Sequence, residues 1–106
     1  MNAGVIAARY AKALLKYVME TGNGDKVYSQ ACVIVLRMEE VRRLREFLEG
    51  REEISPEDRR LLLETALGES VASEITDFLS LVSGHRRNSY LLRMFYSFIS
   101  QYRDVM

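Results

Sequence analysis

Along most of the chain, apolar residues recur three and four positions apart, the spacing that places them on one face of an α-helix. Only Val33 to Leu36 could pass for a strand, and that run lies inside a helical pattern. Glycines fall between the periodic segments, where helix ends need them. Gly22 and Gly24 follow a first helix over about Ala3 to Thr21, and Gly50 closes a second stretch from Asp25 to Glu49. Gly68 closes a third segment and Gly84 a fourth; the last runs from about Arg87 to Tyr102. The clearest start is Ile54-Ser55-Pro56-Glu57-Asp58. Ser55 can cap the first free amides, Pro56 suits the first helical position, and the two acids complement the positive end of the dipole. Ser70 offers a second cap, before Val71-Ala72-Ser73-Glu74. The Asp25–Glu49 stretch is about twice the usual ~11–12-residue helix, and its periodicity fits one long helix or two.

Two faces carry more apolar surface than a peripheral helix needs. In the first helix Arg9, Lys12, Lys16 and Glu20 form one narrow polar strip, and nearly everything else is apolar. An outer helix requires an apolar arc of only about 100°. Either this helix runs through the middle of a bundle, or part of its arc receives a partner. In the Ser70–Ser83 segment Val71, Ile75, Phe78 and Val82 make an inward stripe, while Leu81 falls among Glu74, Asp77 and Ser80. Side by side, the two helices would line a groove suited to an amphipathic helix from another chain. Its walls would differ in sign: residues 1–23 hold three bases against Glu20, whereas residues 61–83 hold four acids and no base. Such a difference orients a ligand more than it strengthens binding.

Composition narrows the field further. The chain has 106 residues, 48% hydrophobic and 28% charged, with one proline and one cysteine. That is one ordinary domain with enough apolar content for a core. A lone cysteine and a single histidine argue against a disulfide scaffold or a zinc centre. Arg9 and Lys12 interrupt what a signal peptide would need, and no window approaches the ~20 apolar residues of a membrane span. The expectation is a reducing, cytoplasmic compartment. Fifteen basic residues balance fifteen acidic ones. In residues 37–60, seven arginines interleave with eight acids, which cancels the field a nucleic-acid backbone would require.

Catalytic chemistry finds no foothold. Gly22-Asn23-Gly24-Asp25 follows a helix and lacks the lysine of a phosphate loop. His85, between Gly84 and Arg86, has no ordered nucleophile nearby in sequence, and Cys32 reads as a small buried hydrophobe. Glu39-Glu40 and Glu52-Glu53 sit among arginines and read as solvated faces. No cofactor or metal is expected, and the chain reads as a non-enzyme.

The opening segment, with Arg9-Tyr10-Ala11-Lys12-Ala13-Leu14 at its heart, resembles the first helix of the delta subunit of the rotary proton-translocating ATP synthase. The mitochondrial relative of that family is the oligomycin-sensitivity-conferring protein. Leu44-Arg45-Glu46-Phe47-Leu48, Ile54-Ser55, Asp77-Phe78-Leu79-Ser80-Leu81-Val82, and Arg87 with Leu91 and Leu92 agree in order and spacing. Glutamates stand where the family usually has a proline before Ile-Ser, Asp77 where asparagine is common, and His85 where asparagine usually precedes the arginine.

The resemblance implies an all-α, compact six-helix bundle, with the Asp25–Glu49 stretch divided near Glu39 to Val41. It implies that residues 1–106 are the family's N-terminal domain, without the C-terminal domain that meets the stalk's b subunit. It implies a non-catalytic peripheral-stalk component at the cytoplasmic face of the bacterial inner membrane, with no direct membrane insertion. Its partner would be the N-terminal segment of an ATP synthase alpha subunit, held as a helix between the first and fifth helices. Tyr10, Ala13 and Leu14 match first-helix positions near that groove, and Phe78 and Leu81 match fifth-helix positions; periodicity adds Tyr17 and Val82. The rival readings are an adaptor for some other amphipathic helix and, less well supported, a helical nucleic-acid binder.

Overall fold

A computed structural model describes residues 2–50 and 52–106, and these form an all-helical globule with no strand among them. The elements are α1 (Ala3–Thr21), α2 (Gly24–Glu40), α3 (Arg42–Glu49), α4 (Pro56–Leu67), α5 (Ser73–Gly84) and α6 (Leu91–Val105). A short 3₁₀ turn, Asn88–Tyr90, leads into α6. The bundle extends 35 × 33 × 24 Å.

Local chemistry sets the helix ends. Asn2 Oδ1 accepts from Val5 N–H at 2.9 Å and starts α1; Ser55 Oγ accepts from Asp58 N–H at 3.1 Å and starts α4. Gly22 and Gly68 sit at φ 75° and 74°, left-handed positions that close α1 and α4 without a Cβ penalty. Gly50 and Gly84 also stand at helix ends, as the sequence places them, but neither is left-handed. Gly50 is extended rather than left-handed, and Gly84 is the last residue of α5. The left-handed residue after α5 is Arg86, φ 56°. Its N–H donates to Ser83 O, and Arg87 N–H donates to Val82 O, each at 3.0 Å, the paired bonds of a Schellman ending. Ser70 is not a cap: α5 begins after Ala72, whose side chain can cap nothing.

The long second stretch is two helices broken at Val41, which is extended at φ −115°, ψ 96°. Phase explains the break. Met38 and Leu44 are both buried, yet their separation of six positions amounts to about one and two-thirds turns. An unbroken helix would aim Leu44 about a third of a turn, and Leu48 about a fifth, away from Met38 on the α2 stripe. One extended residue turns α3 back toward the core.

The core is one continuous cluster centred on α1, α2 and α6, including Leu14, Ile34, Met38, Met94, Phe95 and Phe98. The first and last helices pack directly together, and Gln101 Nε2 reaches across to donate to Ala8 O at 3.1 Å. The start of α2 lies hard against α6: a Cβ on Gly24 would come within 2.9 Å of the Tyr102 ring. The interleaved arginines pair largely within their own helices, Arg37 with Glu40, Arg42 with Glu46, Arg45 with Glu49, and Arg60 with Glu57 and Glu64. Most of these pairs are exposed, so they add little stability.

One buried polar side chain fixes where α5 begins. Gln30 on α2 donates through Nε2 to Ser70 O at 2.9 Å and to Glu69 Oε2 at 3.0 Å. Its Oε1 accepts from the buried Ala72 N–H at 2.8 Å. The loop between α4 and α5 is thereby pinned onto α2, and α5 is set down beside α1.

Candidate functional site: a groove between α1 and α5

Three polar ties join α1 to α5, and their order shows that the two helices run antiparallel. Thr21 Oγ1 and Asn23 Nδ2 donate to the Glu74 carboxylate at 2.7 and 3.2 Å. One turn along, Tyr17 O–H donates to Asp77 Oδ2 at 2.7 Å. At the far end Tyr10 Oη lies 2.7 Å from His85 Nδ1, with the rings edge to face.

Between the Tyr17–Asp77 tie and the Tyr10–His85 tie the helices part. The cleft left open is about 240 Å³, lined by Ala13, Leu14, Tyr17, Asp77, Phe78 and Leu81. Leu14 and Phe78 are buried and form its floor. Ala13 is exposed on one rim, and Leu81 stands on the other, 44% exposed. The floor is hydrocarbon, and among the described residues no side chain fills the space.

Of the seven residues singled out in the sequence, the structure brings five to this cleft: Ala13, Leu14, Tyr17, Phe78 and Leu81. Tyr10 is half-buried beyond its end, held to His85. Val82 has no exposed surface and belongs to the core. It lies four residues beyond Phe78 on the inward stripe, so periodicity placed it on the right helix but on the wrong side of the floor. Asp77 lines the cleft and was absent from the expected set; its signal in the sequence was a carboxylate one residue before Phe78, four before Leu81.

Charges on the rim follow from these bonds. The Asp77 carboxylate accepting from Tyr17 holds that phenol protonated above its usual range, with burial and the charges of Asp77 and Glu74 acting the same way. Burial by itself would push the Glu74 carboxyl up. Hydrogen bonds from Thr21, its own backbone N–H, Asn23 and Ser73 outweigh that effect and hold it below the usual carboxylate range. Glu74 also occupies the first turn of α5, where the dipole favours a negative charge. The α5 wall is therefore acidic at Glu74 and Asp77, while α1 presents Lys12 and Lys16 as exposed bases.

Among the described residues, no three His, Cys, Asp or Glu side chains converge as metal ligands would. No helix there is long and apolar enough to cross a membrane. Fold and cleft define a class: a small all-α bundle with an apolar slot, polar at its edges, between two antiparallel helices. The chain belongs to the ATP synthase delta (OSCP) subunit family, whose model matches residues 6–106. It is 37% identical over 103 residues to the ATP synthase subunit delta of Phocaeicola vulgatus, covering 97% of this chain and 56% of that protein. To the subunit delta of Bacteroides thetaiotaomicron it is 33% identical, over 99% of this chain and 57% of the relative. To that of Symbiobacterium thermophilum it is 32% identical, over 95% and 54%. The chain thus spans little more than half the length of the curated relatives it matches. No solved structure matches it significantly.

Proposed function

We propose that this chain serves as the alpha-binding, N-terminal part of a delta subunit in the peripheral stalk of a rotary ATP synthase. In this reading it is a non-catalytic tether that keeps the catalytic head from turning with the rotor. The N-terminal segment of an alpha subunit lies as an amphipathic helix in the α1–α5 cleft. A second domain, outside these 106 residues, meets the b subunit, and the assembly sits on the cytoplasmic face of the membrane without inserting into it.

The observation that carries this reading is the open, apolar cleft floored by Leu14 and Phe78 and rimmed by Ala13 and Leu81. A soluble domain gains nothing by leaving a leucine half-exposed over an unfilled apolar slot, but an interface does. A helix laid there would bury on the order of 800 Å² per partner. A few anchors would dominate the affinity, because association and peptide ordering oppose the area term. Ala13 matters through its smallness: a larger side chain would stand where the ligand backbone approaches. The Asp77 carboxylate on the cleft wall gives a direction, favouring a ligand helix that brings a base toward it.

Calorimetric titration with the alpha N-terminal peptide from the same genome tests the reading. Ala13→Trp and Leu81→Asp should leave helicity intact and weaken binding at least tenfold, about 1.4 kcal/mol. Unchanged affinity in both variants refutes the groove assignment. Equal affinity for an unrelated amphipathic helix would instead support a general adaptor.

A further inference from the structure

On the opposite side of α5 from this cleft lies a buried charge that the stalk role does not use. Arg59, in the second turn of α4, is only 9% exposed. Its Nη1 donates to Ser83 Oγ and its Nη2 to Ser80 Oγ, both at a long 3.3 Å. Among the described residues no carboxylate pairs with it, whereas Arg37, Arg42, Arg45 and Arg60 all have acidic partners. A guanidinium taken out of water without a counter-anion is costly, and neutral hydroxyls repay little of that cost. Burial is what acts on its titration, lowering it from the usual arginine range.

Arg59 borders a cavity of about 860 Å³ bounded by the end of α3 and the loop after it, the start of α4, the end of α5 and the 3₁₀ turn. Arg86 and Asn88 border it too. Arg86 is the residue held left-handed at the end of α5, and Asn88 Nδ2 donates to Ser83 Oγ at 3.4 Å. We propose that this cavity is a binding site for a compact tetrahedral oxyanion, a phosphate group, with Arg59 as its buried anchor.

The donor inventory favours such a ligand. A guanidinium offers five N–H groups in a fixed fork, and only two are engaged here. Each serine hydroxyl that accepts from Arg59 still carries an O–H to give. Together with Asn88 and Arg86, these supply more donors than a two-oxygen carboxylate can use, and they suit a tetrahedral anion. The acids on the same lining do not remove the need for it. Glu49 is spent, with Oε1 on Arg45 at 2.7 Å and Oε2 accepting from Leu92 N–H at 3.0 Å. Glu52 and Glu53 are exposed and hydrated.

The test is an NMR titration of the folded chain with sodium phosphate at fixed pH and ionic strength, sodium chloride providing the balance. Signals of Arg59 Nε–H and the Ser80, Ser83 and Asn88 amides should shift saturably. Arg59→Gln should weaken the effect at least tenfold. Ser80→Asp, which places a carboxylate beside the guanidinium, should abolish phosphate binding and raise the melting temperature. A parallel titration with adenosine monophosphate separates the sources: tighter binding than inorganic phosphate indicates a phosphate carried on a larger molecule, equal or weaker binding the free ion. Shifts that do not saturate, or that chloride reproduces, overturn the proposal. Should Arg59→Gln fail to fold, Ser80→Asp decides, and undiminished phosphate binding in that variant overturns it equally.

Discussion

Replacing Gln30 by leucine should be among the most damaging single changes in this molecule, though it swaps a polar residue for an apolar one inside a core. Gln30 is 1% exposed and makes three hydrogen bonds, two given and one received. Leucine abolishes all three and leaves Ala72 N–H, itself buried, with no acceptor. A stranded buried donor costs roughly 1–3 kcal/mol, and each lost bond about 1 kcal/mol more. Ser70 and Glu69 are exposed residues, so water recovers most of what they lose, and the leucine returns part of the remainder through apolar burial. The net expectation is about 2–3 kcal/mol of lost stability. For a chain of this size that lowers the melting temperature by roughly 8–24 °C, using about 4–8 °C per kcal/mol. Urea unfolding followed by circular dichroism measures the loss. Because the same bonds set the start of α5, affinity for a groove ligand should fall with stability. A loss below about 1 kcal/mol would mean that Ala72 N–H finds another acceptor, and that Gln30 does not position α5.

Three further outcomes follow from the same geometry. Ser55→Ala removes the α4 cap and should cost about 1 kcal/mol in urea unfolding, with glycine costing less. Arg86→Gly places the residue best suited to φ 56° at the end of α5 and should raise stability by up to about 1 kcal/mol, read from the melting temperature, while weakening phosphate binding. Glu74 is held below the ordinary value of 4.5, so its contribution is present above about that pH and is lost as pH falls through the folded value. The stability gap between the native chain and Glu74→Gln should therefore be widest near neutrality and shrink in acid; a gap independent of pH would show that the carboxylate's charge is not what Thr21 and Asn23 hold.

Local signals carried α1 and α4 almost to the residue, because caps and left-handed glycines act over three or four positions. The break at Val41 was also present in the sequence, as a phase slip between Met38 and Leu44, but a periodic stripe tolerates either one helix or two until the core fixes its direction. Gly84 marks the end of α5 without taking the left-handed position itself. A glycine near a helix end is a strong marker, yet here the Schellman bonds select the residue two positions later, and Arg86 bears the strain. The cleft was legible as surplus apolar surface on two helices. Which residues form its floor depends on how closely those helices approach, and Val82 fell to the core on that account. Arg59 could not have been found by pattern. It stands among exposed, paired arginines in sequence, and its burial comes from Ser80 and Ser83, more than twenty residues away.

The partnership of α1 with α6 has a cost during synthesis. A ribosome delivers α1 well before α6, so the face of α1 that packs on α6 has no permanent neighbour while some seventy intervening residues are added. The nucleus cannot close until the far end of the bundle is delivered, since the contacts that complete it join residues as distant as Ala8 and Gln101. Through that interval this apolar face of α1 is open to any hydrophobic surface it meets, which makes the nascent chain a natural client for chaperones.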